Sequence, residues 1–184
     1  MGLVSRETKR KIHEGGAPLL VGECKLCKTC EKICPMGAIK VDEKGWYLAN
    51  DYCFGCGLCV RNCPYEALRP KVNFLTKLLT EVTVALLKNF EGKLFFINVL
   101  KNISKYCDCC DNPGPILCKD IGVLFSKDPI KIDKASLDLI NRVSGKNLFK
   151  EVHGIDPYEQ IEAAEEFGFS SIYRLVRLEF DQAT

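Results

Sequence analysis

The sequence predicts two parts in one chain: a small α+β module built round a doubled cysteine motif, then part of an α/β domain, a sheet covered by helices. Three observations carry this. A cysteine pattern occurs twice, at 24–35 and 53–64. Beyond Pro70, stretches with helical periodicity alternate with short apolar, β-rich runs, the pattern of a layered α/β domain. Turn and capping residues separate those stretches at the expected places.

Taken in order, MGLVSRETKRKIHEGG (1–16) is charged and glycine-containing and lacks the apolar core of a signal peptide. CKLCKTCEKICP and CFGCGLCVRNCP then repeat C-x2-C-x2-C-x3-C-P, each cysteine lying 29 positions from its counterpart (Cys24 to Cys53). This run binds 4Fe–4S clusters, three thiolates wrapping one cubane while the fourth crosses to the neighbouring one. The spacing assigns Cys24, Cys27, Cys30 and Cys63 to one cluster, and Cys53, Cys56, Cys59 and Cys34 to the other. Paired zinc sites are the alternative, but they need neither eight cysteines nor a proline after each fourth. Between the repeats, AIKV and WYLA flank DEKG as a short hairpin would. Residues 20–70 thus resemble a two-cluster bacterial ferredoxin. The first loop carries Lys25, Lys28 and Lys32, the second Phe54, Gly55, Gly57 and Leu58. The lysines are expected either to favour the reduced first cluster or to be a solvated face.

VNFLTKLLTEVTVALLKNF follows and places Leu75, Leu79, Val82, Leu86 and Phe90 on one helical face, with Gly92 as breaker. KLFFINVL (93–100) reads as a buried strand and DIGVLF (120–125) as a second β-rich run. Asp128 with Pro129, and Asp156 with Pro157 and Glu159, read as helix starts. SSIYRLVRLEF (170–180) reads as a closing strand.

KYCDCCDNPGPILCKD (105–120) gathers Cys107, Cys109, Cys110 and Cys118. Three readings stay open: a third metal site, a reactive or substrate-facing thiol site, and packed structural cysteines. Adjacent Cys109 and Cys110 suit one ion poorly, because neighbouring side chains in extended backbone diverge. Asp120, Asp128 and Asp133 are candidates for the same cleft, capping being the simpler role for Asp128. The two histidines, His13 and His153, each lie beside a glycine in a loop-like stretch and read as ordinary. SGKN (144–147) lacks the rest of a phosphate-binding loop.

FINVLKNISKYCDC, PILCKDIGVLFSKDPIKIDKASLDLIN and HGIDPYEQIEAAEEFGFSSIYRLVRLE together resemble the C-terminal half of domain-of-unknown-function family 362. The resemblance implies prokaryotic iron–sulfur proteins with a two-cluster ferredoxin set into an α/β domain. Residues 1–19 then form the α/β segment before the insert, 20–70 the ferredoxin module and 71–184 the α/β domain. The family's pattern normally begins earlier, so the resemblance also implies a missing N-terminal portion. That portion would come from a second chain, or its absence would leave an apolar surface for self-association.

A formal net charge of +2, with basic residues spread along the chain, gives no electrostatic case for nucleic acid. VTVALL is flanked by Lys77, Glu81 and Lys88, so no run reaches the roughly 20 apolar residues of a membrane span. Twelve cysteines without a signal sequence favour metal ligation in the cytoplasm over disulfides. The expected function is electron transfer through two 4Fe–4S clusters to a redox partner protein. The alternative is a subunit or remnant of an iron–sulfur oxidoreductase reacting near the Cys107–Cys118 loop.

Overall fold

The computed structural model describes residues 4–90, 92–106 and 112–178. The chain divides into two compact units, Met1–Asn89 and Phe90–Thr184.

In the first unit, α1 (Arg6–Gly16) starts at Ser5, whose hydroxyl accepts the Thr8 N–H at 3.1 Å. It packs on α4 (Leu75–Asn89). Between them lies the repeat. Strand β1 (Pro18–Leu20) pairs antiparallel with β4 (Leu68–Pro70), tying the ends of the module together. Each cysteine motif runs into a short helix, α2 (Thr29–Ile33) and α3 (Leu58–Arg61). The hairpin of β2 (Ile39–Asp42) and β3 (Gly45–Leu48) joins the two motifs. Its turn is closed by the Asp42 carboxylate, which accepts the N–H groups of Lys44 and Gly45 at 2.8 and 3.2 Å. Cys30, Ile39, Val41, Cys59 and Leu68 form the core of this unit, with Trp46 packed against it.

In the second unit, β5 (Phe96–Leu100) and β6 (Gly122–Ser126) form one antiparallel pair. One face of the pair carries Leu100 and Leu124 onto α5 (Pro129–Ser144) and α6 (Leu148–His153). A second core, of Ile130, Leu137, Ile161 and Ala164, joins α5 to α7 (Glu159–Glu166).

Several sequence expectations change here. Among the described residues the sheet of this unit is two-stranded and antiparallel with a helix layer on one face, an α+β arrangement, where a sheet covered by helices was expected. KLFFINVL is not wholly buried: period-2 alternation sends Ile97 and Val99 outward. Residues 170–178 form no strand despite their β-rich composition, because no described strand accepts their ladder bonds. α7 begins after Tyr158, which supplies no side-chain cap, so the helix starts later than Asp156 with Pro157 and Glu159 implied. Asp156 instead closes the turn before it, accepting the Tyr158 N–H at 3.2 Å. The buried positions of α4 are Thr80 and Val84, not the 75/79/82/86/90 face, and Phe90 is exposed beyond its end. That helix is apolar on several sides, so periodicity alone does not single out a face.

Candidate metal centre

The repeat governs the local backbone. Leu26 and Lys28 in the first loop, and Gly55 and Gly57 in the second, occupy equivalent positions and all have left-handed φ (52°, 60°, 76° and 78°). Lys28 and Gly57 are the residues before α2 and α3. The Lys32 N–H reaches the Lys28 carbonyl at 3.1 Å, as the Arg61 N–H reaches that of Gly57 at 3.0 Å. The Gly37 and Glu66 N–H groups reach the Cys34 and Cys63 carbonyls, both at 3.2 Å. Two copies of one sequence pattern therefore fold into two copies of one loop.

Each loop walls a cavity. The first is lined by Cys24, Cys27, Cys30 and Cys63, with Trp46 and Val41 from the hairpin. The second is lined by Cys34, Cys53, Cys56 and Cys59, with Phe54 and Leu58. Cys34 follows α2 and Cys63 follows α3, so each cavity draws three thiols from one motif and the fourth from the other. Among the described residues, no three His, Cys, Asp or Glu groups are placed to hold a single ion. A cubane is different: its four thiolates bind four separate irons at the corners of one body, and thiols spread round a cavity wall suit it.

The electrostatics fit the same occupant. Burial pushes the Cys59 thiol up to about 12, with the neighbouring Cys56 and Cys53 adding to it. Burial also raises Cys30, Cys53 and Cys56, against backbone hydrogen bonds at Glu31, Gly55 and Leu58. A buried thiolate without a counter-charge is unfavourable, and iron supplies that charge as the proton leaves. Exposed Cys27 goes the other way, lowered by Thr29, whose hydroxyl lies 3.4 Å from its Sγ. The Ala38 N–H donates to Cys34 Sγ at 3.3 Å. The buried Trp46 Nε1 has no protein acceptor, an orphaned donor at the wall of the first cavity. These features fit an iron–sulfur cluster in each cavity.

Two supports were not evident in the sequence. His13, read as a loop residue, lies in α1, and its Nδ1 stands 2.7 Å from the Phe54 carbonyl that leads into the second loop. Gly16 and Gly55 meet backbone to backbone: a Cβ on Gly55 would lie 2.3 Å from the His13 carbonyl oxygen. Trp46 looked like any hairpin aromatic, and nothing in its spacing marks it as a cavity wall. In the first loop, Lys25 forms an ion pair with Glu23 at 2.6 Å, which offsets part of the positive charge expected there.

Cys107, Cys109 and Cys110 lie outside the described residues. Cys118 packs at the margin of the Leu100 core, its thiol raised by burial and by Asp120. The three candidate aspartates each have separate partners. Asp120 accepts the Asn102 N–H at 2.9 Å. Asp128 caps α5 through the Ile130 and Lys131 N–H groups at 2.9 and 3.1 Å. Asp133 accepts from Asn98 at 3.0 Å, and burial raises its pKa. His153 closes α6 between the Phe149 and Tyr106 rings, and burial lowers its pKa.

A 4Fe–4S dicluster domain is present over residues 23–67, where the profile of that family matches. The chain is similar to pyruvate synthase subunit PorD of Methanocaldococcus jannaschii, 43% identical over 53 residues, 28% of this chain and 62% of that protein. It is 47% identical over 45 residues to a subunit of the ion-translocating oxidoreductase complex of Methanosarcina acetivorans, 24% of this chain and 17% of that one. Electron transport protein HydN of Escherichia coli K12 is 26% identical over 127 residues, 66% of each chain. The chain thus spans less than two thirds of the first two relatives. No solved structure matches. No described helix is long and apolar enough to cross a membrane.

Proposed function

We propose that this chain carries two 4Fe–4S clusters and passes single electrons between protein partners. The observation that carries the reading is the pair of cavities, each walled by four cysteines taken three and one from the two motifs. Cys24, Cys27, Cys30 and Cys63 would hold the first cluster, and Cys34, Cys53, Cys56 and Cys59 the second. When bound, such clusters take up and release one electron at a time at low potential, on the order of −400 mV. The protein keeps the sulfurs in fixed positions, points backbone N–H groups at them and shields the inner faces with Ile39, Val41 and Leu68.

The names of the relatives, an electron transport protein, a pyruvate synthase subunit and a subunit of an ion-translocating oxidoreductase complex, favour an electron-transfer chain that works beside a catalytic partner. That also supports the second reading, a subunit of an iron–sulfur oxidoreductase whose reaction site lies near the Cys107–Cys118 loop. We further propose that residues 71–184 correspond to the C-terminal part of domain-of-unknown-function family 362, with the open face of β5 and β6 completed by a second chain or a second copy. The cysteine content favours the cytoplasm as its compartment.

Anaerobically prepared protein should contain about eight irons and eight acid-labile sulfides and should reduce and reoxidise reversibly. Zinc in place of iron, or no sulfide after reconstitution, would refute the reading. Cys34→Ala should damage the cluster held by Cys53, Cys56 and Cys59 and spare the other. Damage at the Cys24 cluster instead would show that the fourth ligands do not cross.

A further inference from the structure

We propose that Trp46 donates its indole N–H to a sulfur of the cluster held at the first site, and thereby sets the first cluster's potential above the second's. This rests on the two-cluster reading. Trp46 Nε1 is buried with no protein acceptor, at the wall of the cavity that Cys30 lines. Buried donors nearly always have a partner, so an orphan beside a ligand cavity points to what the cavity receives.

The side chain is held in place. Trp46 pairs with Val41 across the hairpin, and the Val41 N–H donates to the Glu31 carboxylate of α2 at 3.3 Å. The hairpin is thus fastened over the helix that carries Cys30, and Trp46 packs against the core that includes Cys30. A phenylalanine would fill the same apolar space, so the N–H is the feature that calls for a role.

The repeat does not supply this group twice. Position 46 lies between the two motifs, and the side chains of the second cavity include Phe54, Leu58, Ile39 and Met36, none with an N–H to give. An added electron puts negative charge on the sulfurs, and a hydrogen bond to a charged acceptor is stronger than one to a neutral acceptor. The reduced state of the first cluster gains more than the oxidised state, and its potential rises.

The test is an anaerobic redox titration of the full chain and of Trp46→Phe, followed by electron paramagnetic resonance. Loss of the indole N–H should shift one cluster downward by about tenfold in its reduction equilibrium, ~59 mV for one electron, and leave the other unmoved. Tyr47→Phe, an exposed neighbour, should shift neither. The chain has one tryptophan, so indole-15N labelling is specific to Trp46. Pulsed measurements on the reduced wild-type protein should show hyperfine coupling to that nitrogen. This second readout needs no variant and decides the matter if Trp46→Phe fails to assemble. Absence of the coupling, or assembled Trp46→Phe with unchanged potentials, would overturn the proposal while leaving the two-cluster reading intact. Wild-type protein that assembles no cluster would overturn both.

Discussion

Leu26 and Lys28 hold the same left-handed backbone that Gly55 and Gly57 hold in the second loop, and the difference in residue type follows from what lies outside each loop. Gly55 faces the His13 carbonyl, and a Cβ on Gly57 would meet the Phe74 ring at 2.9 Å. The second loop therefore needs glycine for space as well as for conformation. Gly55→Ala should displace α1 from the loop and impair the second site, lowering iron towards about four per chain on reconstitution. Iron and sulfide analysis checks this, and full occupancy would show that α1 yields without cost. Lys28→Gly should be tolerated. The left-handed penalty of ~1–2 kcal/mol is relieved while glycine's entropy gives back ~0.5–1 kcal/mol, a net gain of about 0–1.5 kcal/mol in denaturant unfolding. Elsewhere, Asp138 accepts from Tyr158 Oη at 2.5 Å, Tyr173 Oη at 2.7 Å and Lys134 Nζ at 2.9 Å. Burial opposes its charge, but these donors outweigh it and hold the carboxyl below its ordinary value. Both phenols are pushed up to about 12, by burial first and by the Asp138 hydrogen bond second. A lowered carboxyl contributes stability that is present above the unfolded value of about 3.9 and is lost as pH falls through the folded one. The stability gap between wild type and Asp138→Asn should therefore be full near neutral pH and close on acidification below about 3.9. In spectrophotometric titration, Tyr158→Phe and Tyr173→Phe should each remove one late-ionising phenol.

At the scale of elements, helix starts separate into those made by a side chain and those made by packing. Asp128 accepts two N–H groups at the first turn of α5 and has Pro129 behind it, so the helix that covers the β5–β6 pair begins where local chemistry directs. Asp128→Ala should lower unfolding stability by ~1 kcal/mol, within the range of about 0.5–2 for lost caps. An unchanged midpoint would mean that packing of Ile130 and Ile132 suffices to place that turn. The similar sequence at Asp156 and Pro157 does something else. Its carboxylate is taken up by the Tyr158 N–H, by Lys150 Nζ at 3.0 Å and by Asn147 Nδ2 at 3.3 Å, which draws α6 and the turn before α7 together. A cap motif states which donors an aspartate can satisfy. Which donors arrive depends on the neighbouring chain.

At the scale of the molecule, the second unit presents a sheet face that no described element covers. Ile97 and Val99 on β5 are 56% and 60% exposed, and their register partners Phe125 and Val123 on β6 are 53% and 50% exposed. Phe95 continues the patch, its ring 6.0 Å from that of Phe125. An apolar stripe on a two-stranded pair is poorly suited to water, and its edges carry unpaired backbone groups. The face is expected to be covered by protein, a second copy in the purified chain. Sedimentation should show association that rises with concentration and is weakened in Ile97→Lys with Phe125→Lys. A wild-type monomer at high concentration would contradict this.

The sequence by itself determined whatever is written in covalent spacing and local chemistry. The doubled cysteine run sets the loop length, the helix that follows and the grouping of thiols, because eight short-range constraints leave the backbone few ways to close. The hairpin at Asp42–Gly45 and the start of α5 at Asp128 are equally local. Tertiary structure decided what depends on neighbours remote in the chain. Residues 170–178 have strand composition but no described strand beside them, and a ladder needs two. The α4 pattern was apolar on several sides, and only α1 chose among them. His13 became a strut for the second loop, and Trp46 a wall of the first cavity, through contacts that no spacing rule encodes. The apolar run of β5 reads as buried throughout, and which face remains open depends on how many layers the chain can place on a sheet.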